Sequence, residues 1–185
     1  VIRSAAAGIN SNPFSTTLLI VEDCVIDNTN LYGVYSNKYT NIINCLLNSS
    51  QFCIYKDNAS QTTINVTNSK IINSSTPLRL YFLVVFNMVG GLLEWASNAM
   101  VSSNASSGGE RNFNGTNIKY TGNSVGGFIN TENLAITKLD IRNSVLECPN
   151  MRGAISVLDV NGVFNFINNI AYKTQATGFG ISVYQ

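Results

Sequence analysis

Asn143-Ser144-Val145-Leu146 decides the fold, because its phrase of a polar residue, a small residue, any residue and an aliphatic is repeated. It stands also at Asp23-Cys24-Val25-Ile26, Asn44-Cys45-Leu46-Leu47 and Asn68-Ser69-Lys70-Ile71. The aliphatic anchors are Ile26, Leu47, Ile71 and Leu146, so the first two intervals are similar and the last is about three times as long. That last interval divides into three turns of similar length if Val101 and Tyr120 are weaker copies. A second series, Gly127-Phe128-Ile129, Gly153-Ala154-Ile155 and Phe179-Gly180-Ile181, recurs at one constant interval.

Self-similarity at roughly 20 to 27 residues, built from short β-branched or alternating runs without a helical period, describes coils of three short strands joined by turns. A leucine-rich repeat would need a recurring L-x-x-L-x-L-x-x-N frame, and none recurs. The expectation is an all-β chain, a right-handed parallel β-helix of six to seven coils. The hand follows the usual sense of parallel crossovers, and a left-handed hexapeptide coil would require a six-residue repeat that is missing. Residues 1–185 read as one such domain, uncapped at both ends, because Gly180-Ile181-Ser182-Val183 reads as the opening strand of a further coil; the chain is expected to be a segment of a longer one.

Composition narrows the chemistry. Eleven basic residues against ten acidic ones supply no field for nucleic acid or an anionic membrane. Histidine is absent, which removes the commonest general base near neutral pH and the commonest zinc ligand. Asparagine far outnumbers aspartate and dominates the polar set. Its side chain tolerates left-handed backbone and caps turns, so Asn44, Asn68 and Asn143 are expected to share one turn of successive coils and to form an asparagine ladder. The pairs Gly90-Gly91, Gly108-Gly109 and Gly126-Gly127 read as tight turns, since no Lys-Ser/Thr follows them.

The most apolar stretch is Pro77 to Trp95, PLRLYFLVVFNMVGGLLEW. Arg79, Asn87 and Glu94 interrupt it, and Leu80 to Phe86 falls far short of a membrane-spanning length. It reads as a strand apolar on both faces, with Leu80, Phe82, Val84 and Phe86 on one side and Tyr81, Leu83 and Val85 on the other, so that a loop or a second subunit covers one face.

Six Asn-x-Ser/Thr sequons, at Asn48, Asn58, Asn65, Asn73, Asn104 and Asn114, point to an extracellular or cell-surface glycoprotein carrying N-glycans. Cys24 and Cys45 hold equivalent places in adjacent coils, about 4.8 Å apart, which leaves two arrangements open: a disulfide or stacked reduced thiols. Cys53 and Cys148, roughly 19 Å apart at that coil spacing, read as unpaired.

No catalytic residue, metal or cofactor is assigned. A β-helix glycosidase or lyase would cluster acids on neighbouring coils, whereas Asp23 aligns with Asn44, Asn68 and Asn143, and Asp159 with Asn133. Glu22, Asp23 and Asp27 read as solvated charges.

The phrases at Asn44-Cys45, Asn68-Ser69 and Asn143-Ser144 resemble coils of the pectate-lyase-like superfamily. Gly90-Gly91-Leu92-Leu93, Gly126-Gly127-Phe128-Ile129 and Phe166-Ile167-Asn168-Asn169 resemble the GG-x-I and FxxN phrases of chlamydial polymorphic outer-membrane protein repeats, found also in protist surface proteins. The resemblance implies the scaffold and not an activity, since the polygalacturonase and pectate-lyase catalytic patterns are missing. The functional expectation is therefore a structural or adhesive surface protein that self-associates end to end or binds other surface proteins. A polysaccharide-active enzyme is the alternative, as is a glycan-binding module in which Tyr32, Tyr35, Tyr39 and Tyr55 line one outward face.

Overall fold

Backbone pairing dominates the architecture, because strands too short to be stable alone acquire partners only from the coils above and below. The computed structural model describes residues 1–3, 7–11, 18–36, 39–57, 60–81, 83–96, 101–102, 109–122, 129–130, 137–147, 155–157, 163–172 and 181–183. These residues form 23 strands and no helix, and every strand pairing is parallel. The strands rotate in order through three faces to make a β-solenoid. An eight-stranded sheet begins with Ile2–Arg3 and ends with Ile170–Tyr172; a seven-stranded sheet runs from Leu19–Glu22 to Val163–Ile167. The remaining place in the rotation is taken by a five-stranded sheet from Ala7–Asn10 to Val101–Ser102, then by the three-stranded sheet Ile129–Asn130, Ile155–Val157 and Ile181–Val183.

The core consists of aliphatic columns parallel to the solenoid axis. In the eight-stranded sheet Ile2, Ile26, Leu47, Ile71, Leu93, Ile118, Leu146 and Ala171 are successive register partners. In the seven-stranded sheet the column is Val21, Ile42, Val66, Met88, Phe113, Ile141 and Phe166. Burying one such aliphatic contributes about 1.5–3 kcal/mol, and each also packs on its own kind in both neighbouring coils. The copies between Ile71 and Leu146 are thus Leu93 and Ile118, not Val101 and Tyr120. Val101 pairs with Leu78 on another face, and Tyr120 with Trp95. The steps from Ile71 to Leu93, to Ile118 and to Leu146 lengthen along the chain, because the connections beyond the strands vary while the corner stays in register.

The apolar run 77–95 also differs from its expected form. It is three strands on three faces, Leu78–Leu80, Val84–Val89 and Leu92–Trp95. The chain turns between Leu80 and Val84, so both are fully buried, whereas Leu83 in the corner is 50% exposed. Inward Leu78, Leu80, Val84, Phe86 and Met88 all face the same core. Period-2 alternation across that turn is broken, and the second apolar face expected of a single strand does not form.

One corner recurs with little change. Asp23, Asn44, Asn68, Asn143 and Asn168 all have φ between 48° and 53°, and Gly90 and Gly115 occupy the equivalent positions at 68° and 62°. This is the left-handed region that glycine and asparagine tolerate at least cost. The corner amides from Asp23 to Asn143 donate to the next coil, as Asn44 N does to Thr67 O at 3.0 Å and Asn68 N to Val89 O at 2.9 Å. The following position is small and polar. Ser69 Oγ accepts from Cys45 N at 3.0 Å and donates to Thr67 O at 2.9 Å; Ser144 Oγ likewise accepts from Thr116 N and donates to Arg142 O.

Candidate functional site

The outer face of the seven-stranded sheet carries a polar ladder. Asn41, Asn65, Asn87, Asn112, Asp140 and Asn165 are successive register partners. Asn65 Nδ2 donates to Asn41 Oδ1 at 2.9 Å, Asn87 Nδ2 to Asn65 Oδ1 at 2.8 Å, and Asn112 Nδ2 to Asn87 Oδ1 at 2.8 Å. Each amide therefore donates toward the preceding coil and offers its oxygen to the next one.

The polarity is interrupted at Asp140. Its carboxylate cannot donate, and Asn112 Oδ1 is buried without a partner. Arg142 donates to both oxygens of Asp140, at 2.6 and 2.9 Å, Asn165 Nδ2 donates at 3.2 Å, and Lys138 Nζ lies 3.5 Å away. Hydrogen bonds from Arg142 hold the Asp140 carboxyl below its usual range. Lys138 also reaches Glu110 at 3.7 Å. Around the interruption lies an open groove of about 380 Å³, with Asn87, Asn112, Asn114, Lys138, Asp140 and Arg142 among its lining residues.

The five-stranded sheet carries the second surface. Tyr32 stacks on Tyr55 at 4.5 Å between centroids, Tyr35 lies 5.3 Å from Tyr55, and Phe52 lies 5.6 Å from Tyr55. The Arg79 guanidinium sits 4.8 Å from the Phe52 ring centre and 5.0 Å from that of Tyr81. Asp57 accepts from Tyr35 Oη at 2.5 Å and from Tyr55 Oη at 3.3 Å. Burial, with Asp57 adding to it, pushes the Tyr55 phenol up to about 12. Tyr39 is exposed and lies outside this cluster of ring contacts.

Tyr32 and Tyr35, like Phe52 and Tyr55, are three apart, a spacing that sends side chains to opposite faces of a regular strand. A bulge overturns that rule. Cys53 N and Ile54 N both donate to Pro77 O at 3.0 Å, two residues against one, and Cys53 and Ile54 are both buried. Gly33 is required there, since a Cβ would stand 2.7 Å from Cys53 O.

The expected turn ladder and the expected sites take these places. Asn44 Nδ2 donates to Asp23 Oδ1 at 3.2 Å, Asn143 Nδ2 donates to Asn114 Oδ1 at 2.9 Å, and Asn68 adopts the same left-handed corner. Cys24 and Cys45 are free thiols rather than a disulfide. Cys24 Sγ donates to Glu22 O at 3.1 Å and Cys45 Sγ to Ile43 O at 3.1 Å, and burial raises the Cys45 thiol. The corner thus gives each thiol a carbonyl two residues before it, and Cys45 Sγ also reaches Val21 O of the preceding coil at 3.4 Å. Cys53 is buried, and its Sγ lies 3.6 Å from both Leu47 O and Ile72 O. Cys148, Asp159, Asn133, Asn58 and Asn104 lie outside the described residues.

Of the remaining sequons, Asn73 lies in the strand Lys70–Ser74, and Asn48 Nδ2 donates to Asp27 Oδ1 at 2.8 Å. Asn65 is a rung of the outer ladder, while Asn114 is exposed at the end of its strand. Among the described residues no group of three His, Cys, Asp or Glu is placed to hold a metal, and no helix is long and apolar enough to cross a membrane.

No protein-family profile, curated protein or solved structure matches the chain.

Proposed function

We propose that the chain is a structural and adhesive module of an extracellular or cell-surface glycoprotein, built as a right-handed parallel β-helix of six to seven coils. One observation carries the reading: side chains on two outer faces bond along the axis to their counterparts in neighbouring coils. The amide ladder from Asn41 to Asn112 and the ring cluster of Tyr32, Tyr35, Phe52 and Tyr55 both do so. A surface fixed in this way is rigid and periodic, the property required of a rod that presents contacts along its length or joins its neighbours by strand addition. The resemblance to polymorphic outer-membrane protein repeats points the same way, as do the six sequons.

Glycopeptide mass spectrometry on the native material tests the extracellular assignment. N-glycans on any of Asn48, Asn65, Asn73, Asn104 or Asn114 support it, and complete recovery of bare asparagines removes it.

The second reading, a glycan-binding module, is favoured by the ring cluster with Arg79 and Asp57, which combines apolar faces with charged hydrogen-bonding groups. Retention on immobilised polysaccharide that is lost in Arg79→Ala would support it; equal passage of both proteins would remove it.

A further inference from the structure

Small hydroxyl side chains are buried at several places in this solenoid, but one corner buries two cations. Lys56 and Arg111 are both fully buried, in coils on either side of the segment Leu80 to Val84. Lys56 Nζ donates to Tyr81 O at 3.3 Å. Arg111 donates to Val84 O at 2.6 Å, to Glu110 O at 3.0 Å and to Leu80 O at 3.5 Å. Two positive charges thus grip one stretch of backbone from opposite sides. Thr62 belongs to the same corner, as the register partner of Val84 and 1% exposed.

The hydrogen bonds at this corner do not close. Arg111 Nε and Thr62 Oγ1 are both buried without a partner. Leaving a charged donor unsatisfied inside a protein is costly, and carbonyl oxygens offset only part of the desolvation of a guanidinium. Among the described residues no carboxylate lies within ion-pair distance of Arg111. Burial lowers Arg111 only to about 10, so it stays protonated at neutral pH, and Lys56 to about 8, with the Asp57 carboxylate opposing that depression and Arg111 adding to it. What Arg111 Nε and Thr62 Oγ1 lack is an acceptor that takes an N–H and an O–H at once.

We propose that this corner binds a small monovalent anion of the halide class, held by Arg111 Nε, the Thr62 hydroxyl and the Lys56 ammonium. The anion completes both open donors and offsets the charge of two cations that otherwise oppose each other. Its role is structural: it ties three successive coils together at the junction of the five- and seven-stranded sheets.

The test is thermal unfolding of the intact chain at fixed ionic strength while sodium gluconate is replaced by sodium bromide. Above the dissociation constant, the ratio of folded to unfolded protein should rise about tenfold for each tenfold rise in bromide. Thr62→Val should respond several-fold less, and should be no less stable than the parent without bromide, because it removes a hydroxyl that has no partner there. The double variant Lys56→Met, Arg111→Met should lose the response. Bromide-soaked crystals should show anomalous density beside Arg111 Nε. A parent and a Thr62→Val variant that respond alike would overturn the proposal, as would crystals without that density, leaving a clamp made of carbonyl contacts only. If the double variant does not fold, the Thr62→Val comparison still decides.

Discussion

Asn112 donates to Asn87 at 2.8 Å, yet its own carbonyl oxygen has no donor because its partner in the next coil is Asp140. A carboxylate stands where the ladder needs an amide. Asp140→Asn should therefore extend the ladder and satisfy a buried acceptor, a gain of about 1–3 kcal/mol. Asp140 is buried, but Lys138 and Arg142 are a third to a half exposed, so screening leaves the lost pairs worth about 0–1 kcal/mol each. The expected net effect is a rise of a few degrees in the thermal midpoint at neutral pH. Because the Asp140 carboxyl is held below its unfolded value, its contribution is present above the unfolded pKa and disappears as pH falls through the folded one. The advantage of the variant should accordingly grow in acid. A lower midpoint at both pH values would show that the ion pairs outweigh the amide.

The glycines sort by what surrounds them. Gly91→Ala places a Cβ 2.1 Å from Ser69 O, and Gly33→Ala places one 2.7 Å from Cys53 O; both obstacles are backbone, so each should cost well over about 2 kcal/mol or prevent folding. Gly115→Ala meets nothing within 4 Å and should cost only the left-handed penalty of about 1 kcal/mol. Gly90→Asn meets only the Asn68 side chain in a column already built from asparagine, and should be the mildest of the four. Urea midpoints of the set test this order, and equal losses at Gly91 and Gly115 would contradict it.

Lys56 makes stability depend on alkaline pH. Its folded pKa of about 8 lies below the ordinary 10.5, so the unfolded chain binds more protons between those values and stability rises with pH across that window. The full gain is roughly 3 kcal/mol. The raised Cys45 thiol and Tyr55 phenol act oppositely at higher pH, so the comparison should be with Lys56→Met, which lacks the rise. Denaturation of both proteins at pH 7.5 and pH 10 measures it. A difference that does not change with pH would show that Lys56 is uncharged or solvated.

Under the glycoprotein reading, occupancy should follow side-chain access. Asn114 is exposed, whereas Asn65 both donates and accepts within the ladder, with neighbouring rungs about 4.8 Å away. Glycopeptide mapping should find Asn114 occupied and Asn65 bare. Full occupancy of Asn65 would mean that the ladder is broken there.

Much of the coil is legible in the residues, including one frame that the aliphatic anchors alone miss. NIIN at 41–44, NVTN at 65–68, NMVG at 87–90, NFNG at 112–115, DIRN at 140–143 and NFIN at 165–168 each hold an outward ladder residue and, three positions later, the left-handed corner. A search for asparagine corners finds Asn44, Asn68 and Asn143 and passes over Gly90 and Gly115, because glycine fills the same backbone role without resembling asparagine. Accepting either residue reveals the outer ladder and places Leu93 and Ile118 without coordinates.

Sequence suffices for what is local or periodic. Left-handed corners demand Asn, Asp or Gly, and parallel register copies an interval directly into a contact, as with Ile129, Ile155 and Ile181, which are partners at one constant step. Features that depend on groups gathered from neighbouring coils emerge only from the folded chain. A bulge at Cys53 and Ile54 places Phe52 and Tyr55 on one face against period-2 alternation. Lys56 and Arg111, distant in sequence and charged like surface residues, meet inside on the carbonyls of a coil between them. Nothing in the immediate neighbours of either residue encodes that meeting, because its energetics arise from burial and from hydrogen bonds that exist only once the coils have stacked.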